Sequence, residues 1–248
     1  MNHHQTQFIK TIKHLSSRYH LWQVFSDFCE MSALAMSNTM AFQQDREDRY
    51  LSIISRYNEK ERLEFPKMYS LTVEGLESMD CDFLGELFMH LELSSHWQGQ
   101  FFTPFHLSLM MAQTNTQDME ESLITREFVT VSEPACGSGG MIIALARALI
   151  DKGVNYQQVI HVSAVDVSST AAYMAYIQLS LLHVPAVVYV GNTLSMEMRE
   201  AFKTPAHIMG FWDYRLQAGN KIKESVIEAV GQPITVVTEP TGQAAFNF

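Results

Sequence analysis

The densest chemical signal in this sequence is the octapeptide Glu133-Pro134-Ala135-Cys136-Gly137-Ser138-Gly139-Gly140. Its glycines allow positive φ angles and let a ligand come close to bare backbone. A β-rich run, Phe128-Val129-Thr130-Val131, precedes it, and an apolar helical run follows from Met141. The turn is therefore expected between a strand and a helix N-terminus, where free N–H groups and the positive end of the helix dipole suit a carboxylate or phosphate. No lysine is present here, which excludes a Walker A loop. Ile142 stands where the dinucleotide fingerprint G-x-G-x-x-G needs its third glycine. Two further strand ends carry polar groups. Asp166 closes Ala164-Val165-Asp166-Val167, where a carboxylate can accept hydrogen bonds from both hydroxyls of a ribose, or can cap a helix. Asn192 and Thr193 follow a third β-rich run in Gly191-Asn192-Thr193-Leu194.

These positions need a scaffold, and the apolar periodicity supplies one. Residues 8–40 repeat apolar side chains at helical spacing, as do 45–57, 66–77 and 82–93, with Asp82 suited to cap the last. Residues 1–95 are expected to form a helical region packed against a second unit, 96–248. In that unit Pro104 opens a helix to about Gln113, and Thr114 to Asp118 reads as a loop. Strands are expected at 128–131, 161–165 and 186–190. Helices are expected over 141–152, stopped by Gly153, and from Ser168 to about Leu182, ended by Pro185. A short helix over 196–202, a helix over 221–230 and a strand over 234–237 complete the reading. The β-α-β-α-β order implies an α/β, Rossmann-like fold with a parallel sheet.

Composition narrows the function classes. The net charge of −10 lacks the basic signature of a nucleic-acid binder, so a grip on DNA would need a local basic patch or a partner chain. Arg199, Lys203 and Arg215, flanking 204–214, are the candidates for such a patch, with Phe211, Trp212 and Tyr214 as aromatic surfaces for a base. Cys29, Cys81 and Cys136 are scattered without metal-ligand spacing, so no metal is expected and a reducing compartment is. With no apolar run long enough for a bilayer and no signal-peptide pattern, a soluble cytoplasmic protein is expected, without a membrane partner.

The octapeptide resembles motif I of the N6-adenine DNA methyltransferases, above all the modification subunits of type I restriction systems, with Glu133 in place of their aspartate. Upstream, Gly99-Gln100-Phe101-Phe102-Thr103-Pro104 resembles motif X of the same family, which folds over the cofactor. The resemblance covers about residues 80–195. It implies a class with S-adenosylmethionine (SAM) as cofactor, DNA as substrate and, in such systems, a partner specificity subunit. It carries the cofactor-binding role to Phe102, Thr103 and Pro104, to Glu133, Pro134, Ala135, Cys136, Gly137, Ser138 and Gly139, to Asp166 and Val167, and to Asn192, Thr193 and Leu194. The SAM carboxylate would meet the turn, Asp166 the ribose and Asn192 the adenine, with Phe102 or Val167 lining the base. Cys136 reads as a packing residue.

The family's catalytic signature is Asn/Asp-Pro-Pro-Tyr/Phe after the fourth strand. There a side-chain oxygen and a backbone carbonyl accept the two N6 hydrogens of a flipped adenine, and the aromatic ring stacks on it. No such sequence occurs here. Thr204-Pro205-Ala206-His207 and Thr238-Glu239-Pro240-Thr241 are the two divergent substitutes, with His207 or Glu239 as acceptor or base. Two functions follow: a weak or partner-dependent SAM-dependent DNA adenine-N6 methyltransferase, or a non-catalytic SAM-binding interaction or anti-restriction protein. With little length left for target recognition, another chain is expected to read the DNA. A homo-oligomer, and methylation of RNA or protein, stay open.

Overall fold

The structure, a computed structural model, describes residues 1–91, 101–218 and 243–245. The expected helix over 221–230, the strand over 234–237, Glu239, Gly99 and the boundary near residue 95 lie outside these residues.

The described part of the N-terminal stretch is helical throughout: α1 (His3–Leu15), α2 (Leu21–Met40), α3 (Gln44–Ile54), α4 (Glu59–Arg62), α5 (Glu64–Leu76) and α6 (Phe83–His90). The single helix expected over 8–40 is two. Turns at Ser17 and Arg18 end α1, and Tyr19 is held by bonds to Arg56 O (2.9 Å) and Glu61 Oε2 (3.1 Å). The first helix also starts earlier than its apolar residues suggest. Asn2 and Gln5 form a capping box in which each side chain accepts the other's backbone N–H.

After α7 (Phe105–Leu123) come β1 (Val129–Glu133), α8 (Gly140–Asp151), α9 (Tyr156–Val159), β2 (Ile160–Asp166), α10 (Ser169–Leu181), β3 (Ala186–Asn192), β4 (Glu197–Lys203) and α11 (Pro205–Met209); residues 212–218 are again helical, and β5 is Gln243–Ala245. The sheet order is β4-β3-β2-β1-β5. β1, β2, β3 and β5 run parallel, so the ends of β1, β2 and β3 that carry Glu133, Asp166 and Asn192 share one edge. The crossover helices α8 and α10 lie side by side, with α7 packed on α8 and α2 on α10. Gly153 (φ +75°) follows α8, and Ser168 caps α10 through Ala171 N.

Two further expectations are corrected. Residues 196–202 are not a helix: β4 pairs antiparallel with β3, Val187 opposite Lys203 and Asn192 opposite Glu197. Only Phe202 of this edge strand is buried, so it has no alternation to read. Its outer side is covered from α3: Arg46 donates to Ala201 O (2.8 Å) and stacks on Phe202, and Arg49 pairs with Glu200. Thr114 to Asp118 are not a loop either, since α7 runs through them. Its buried face is Phe105, Ser108, Ala112, Thr116 and Met119, a helical stripe partly written in small polar residues.

One apolar core runs from Phe8 and Phe28 through Phe83 and Leu84 to Ile143, Met174, Val188 and Phe202, so the helices and the sheet share an interior. Gly75 on α5 lies directly under the buried Phe83 ring, where a Cβ would overlap it. Gly75→Ala is therefore expected to destabilise the protein by about 1–3 kcal/mol in urea unfolding, as overpacked cores do. An unchanged midpoint would mean that α5 and α6 separate at no cost.

Candidate functional site

The turn after β1 is shaped by the end of β2. Cys136 N donates to Val165 O (2.8 Å), and Gly137 N donates to Asp166 Oδ2 (2.8 Å). The other Asp166 oxygen accepts Ser168 N (2.8 Å), so one carboxylate joins the turn to the start of α10. Gly137 (φ +52°) and Gly139 (φ +90°) sit in the left-handed region, which side chains disfavour. A Cβ on Gly137 would lie 2.8 Å from the Phe102 ring, so that ring closes directly over bare backbone. Cys136 is buried, and burial pushes its thiol well above the usual range, which suits packing and not nucleophilic attack.

Glu133 is buried at the end of β1. Its Oε1 accepts Ala135 N (3.2 Å), while its Oε2 is buried with no hydrogen-bond partner. Burial raises the carboxyl pKa of both Glu133 and Asp166, and the charge of Asp166 raises that of Glu133 further. Among the described residues no cationic side chain pairs with either acid. Thr193 spans the gap from β3, its hydroxyl donating to Pro134 O (2.7 Å). Asn192 Oδ1 accepts Leu194 N (2.9 Å) and Ser195 N (3.4 Å), which leaves its amide N–H groups as donors. Leu194 is 97% exposed, and Pro134, Ala135 and Thr103 are also exposed.

The turn is braced from the N-terminal helices by Asp82. This buried carboxylate caps α6 through Gly85 N (3.0 Å), accepts Gln178 Nε2 (2.8 Å) and accepts the Ser138 hydroxyl. Gln178 also donates to Ser138 O (2.8 Å) and accepts Leu84 N (3.0 Å). Gly85 and Gly140 make room, since a Cβ on either would crowd Asp82. Burial raises the Asp82 pKa, against the lowering effect of its three donors.

Beside this turn a cleft of about 520 Å³ opens at the ends of β2 and β3. Val167, Ser168 and Asn192 line it, together with Trp22 and Ser26 of α2 and Phe88 of α6. Glu197 and Arg199 of β4 edge it, and Arg199 donates to Val167 O (2.6 Å). Motif reasoning reaches Val167 and Asn192 but none of the α2 and α6 residues, because nothing in a helix's sequence tells which part of its apolar face meets a cleft.

The remaining candidates stand elsewhere. His207 is at the opposite end of the sheet, where its Nδ1 meets Nε2 of His161 at 2.8 Å. His161 is at the start of β2 and Asp166 at its end, so His207 is about 15–20 Å from the turn. The structure does not bring His207 to the site. Trp212 is buried there beneath Arg215, whose guanidinium is 3.8 Å from the ring centroid. Phe211 and Tyr214 are exposed near it. Lys203 pairs with Asp213 at this same end, while Arg199 is at the cleft, so the three cations do not form one basic patch. His207 Nε2 lies 3.2 Å from Asp213 Oδ1 without hydrogen-bond alignment. The carboxylate favours the tautomer protonated at Nε2, so His207 Nδ1 accepts from His161.

A mostly parallel sheet with a glycine-rich turn, a strand-end acid and a cleft at one edge defines a Rossmann-like cofactor-binding protein. Within that class the chain belongs to the N-6 DNA methylase family, whose model matches residues 85–243, more than half of its length. No curated protein matches it. Two solved structures are similar. A Listeria monocytogenes protein described as a class I S-adenosylmethionine-dependent methyltransferase is 15% identical, with a TM-score of 0.41 over 75% of this chain and 52% of its own. The methyltransferase subunit of a type I restriction-modification system from Streptococcus thermophilus is 15% identical, with a TM-score of 0.35 over 70% of this chain and 40% of its own. The chain thus spans about half the length of these proteins or less. The family implies SAM as the cofactor. SAM carries a cationic ammonium and sulfonium, and two buried acids without a cation, one of them with an orphaned oxygen, fit such a group. No helix among the described residues is long and apolar enough to cross a membrane, and no described cluster has the makings of a metal site.

Removing the brace strands three donors in the interior. Asp82→Ala is expected to cost about 2–4 kcal/mol in denaturant unfolding; a loss under about 0.5 kcal/mol would show that the brace is dispensable. The histidine corner gives a pH dependence. Burial, then the neighbouring His207, lowers His161 to about 3, below its ordinary value of 6.5. A lowered basic group contributes stability that is present above pH 6.5 and lost as pH falls toward about 3. The raised acids Asp82, Glu133 and Asp166 act in the opposite sense, so a paired comparison is needed. Melting of His161→Phe between pH 7 and 4 is expected to fall less steeply than that of the wild type, and equal slopes would exclude the histidine pair.

Proposed function

We propose that this chain is the cofactor-binding part of a SAM-dependent DNA adenine-N6 methyltransferase related to type I modification subunits, with DNA recognition supplied by another chain. The observation that carries this reading is Glu133. It is a buried acid in a family-type glycine turn, with one carboxylate oxygen left without a partner beside a second buried acid. SAM would supply an activated methyl group on sulfur. The chain's own part is to hold and orient. Backbone N–H groups of the turn other than those of Gly137 and Gly139, which already donate to Asp166 Oδ2 and Cys136 O, are offered to a carboxylate, and Glu133 offers its free oxygen to an ammonium. Asp166 keeps lone pairs for ribose hydroxyls after bonding Gly137 and Ser168. Phe102 covers the turn and limits water there. Cys136, Gly139, Pro134 and Ala135 shape the loop, Ser138 anchors it to Asp82, and Thr193 ties it to β3.

Two features favour dependence on a partner. The sequence has no Asn/Asp-Pro-Pro acceptor pair, and removal of one positioned contact in a desolvated site commonly lowers rates about 10²–10³-fold. A net charge of −10 with dispersed cations also opposes attraction of a polyanion. The same two features favour a second reading, in which the chain binds SAM without transferring its methyl group. Glu239 remains a proposal for the acceptor, outside the described residues.

Calorimetry with SAM tests the site. Wild type is expected to bind. Asp166→Asn and Glu133→Gln are each expected to weaken binding by roughly 1.5–3 kcal/mol, the scale of a charge-assisted hydrogen bond. Absence of binding to the wild type would overturn the proposal. Transfer from labelled SAM to unmethylated DNA at low salt, read as N6-methyladenine by mass spectrometry, is expected to be slow for the chain alone. Fast transfer would remove the partner from the proposal. No transfer in any condition, with SAM bound, would support the second reading.

A further inference from the structure

The cleft at the ends of β2 and β3 is walled on one side by residues that no cofactor motif contains. Trp22 and Ser26 stand four positions apart on α2 and therefore share one face of that helix. Ser26 Oγ is 3.1 Å from the Thr170 hydroxyl in the first turn of α10, so this face is pinned where β2 gives way to α10. Trp22 is half-buried and packs against the core. Phe88 of α6 lines the same cleft, and its ring meets that of Phe102 at 5.2 Å between centroids. Phe102 in turn lies over Gly137. The buried Phe88 ring thus links Phe102, over the glycine turn, to the cleft that Trp22 also lines, and all three residues stand ahead of β1. Val167, which also lines the cleft, is 56% exposed, and Asn192 presents amide donors suited to ring nitrogens. The cleft's size is in the range of small-molecule sites.

We propose that Trp22, with Phe88, forms the wall against which the adenine of the cofactor stacks, so that the N-terminal helices complete the cofactor site and Trp22 is a positioning residue for the base. This rests on the SAM reading given above and extends it to a residue outside the family-matched segment 85–243. A flat aromatic purine stacked on an indole loses water from the stacked face, and the stack also fixes its tilt.

Adenosine and SAM, each titrated into the full chain, test this by calorimetry and tryptophan fluorescence. Three tryptophans are present: Trp212 is buried at the far end of the sheet, and Trp97 lies outside the described residues. Adenosine is expected to quench the emission of wild type. Trp22→Phe keeps an aromatic face, so affinity is expected to stay within about threefold while the quench disappears. Trp22→Ala is expected to weaken adenosine about tenfold or more, the scale of a lost base–aromatic stack. Its far-UV circular dichroism and melting are checked alongside, and if it fails to fold, Trp22→Phe decides. A quench that survives in Trp22→Phe, or unchanged affinity in a folded Trp22→Ala, would overturn the inference. Tight SAM binding that ignores Trp22 would overturn it and leave the SAM site standing. Adenosine binding that depends on Trp22, with SAM no tighter than adenosine, would support the stacking wall and overturn the methionine end of the site. A wild type that binds neither ligand overturns both.

Discussion

The Asp82 carboxylate, buried among Ser138, Gln178 and Gly85, is the interaction on which the arrangement of this protein depends. It joins three segments far apart in the chain: the start of α6, the glycine turn and the middle of α10. A buried charge is tolerable only when its lone pairs are filled, and here a backbone N–H, an amide and a hydroxyl fill them. The geometry is tight, since Gly85 and Gly140 leave no room for a Cβ against it. The turn is consequently held from below by Asp82 and from the side by Asp166, with the Phe102 ring over Gly137.

The two ends of the sheet have different characters. At the ends of β1, β2 and β3 there are acids that no cation among the described residues pairs with, glycine backbone and a cleft. At the other end polar groups satisfy one another: His161 with His207, Lys203 with Asp213, and Thr204, whose hydroxyl donates to Val184 O (2.8 Å) and accepts Ala186 N (2.9 Å). In the second pattern polar groups pair with one another, whereas in the first Glu133 Oε2 is left without a partner. α2, about 30 Å long, passes along both, with Trp22 and Ser26 at the cleft and Ser37 bonded to Arg46 beside β4.

The parallel β-α-β-α-β succession, the place of the glycine turn, Ser168 as a cap, Gly153 as a stop and Asp82 as the cap of α6 are all legible in the amino-acid order. These features rest on local chemistry: glycine's freedom at positive φ, a short side chain accepting an N–H three residues on, and apolar runs of definite period. The motifs likewise brought Phe102, Glu133, Asp166 and Asn192 to one edge, because in a parallel sheet every strand end carries its loop to the same side.

What depends on distant partners was settled only in the tertiary structure. Glu197–Lys203 has a helix former's composition and became a strand because β3 offered it an edge and Arg46 and Arg49 covered its outer side. Thr114 to Asp118 stayed helical because Thr116 fits a buried face that needs small side chains. His207, near Asn192 in sequence, went to the far end of the sheet because antiparallel β4 carries the chain back the whole length of β3. Trp22 reached the cleft for the same kind of reason: its place on α2 is local, but what α2 faces is fixed by packing against α10, and no period within twenty residues of helix encodes that.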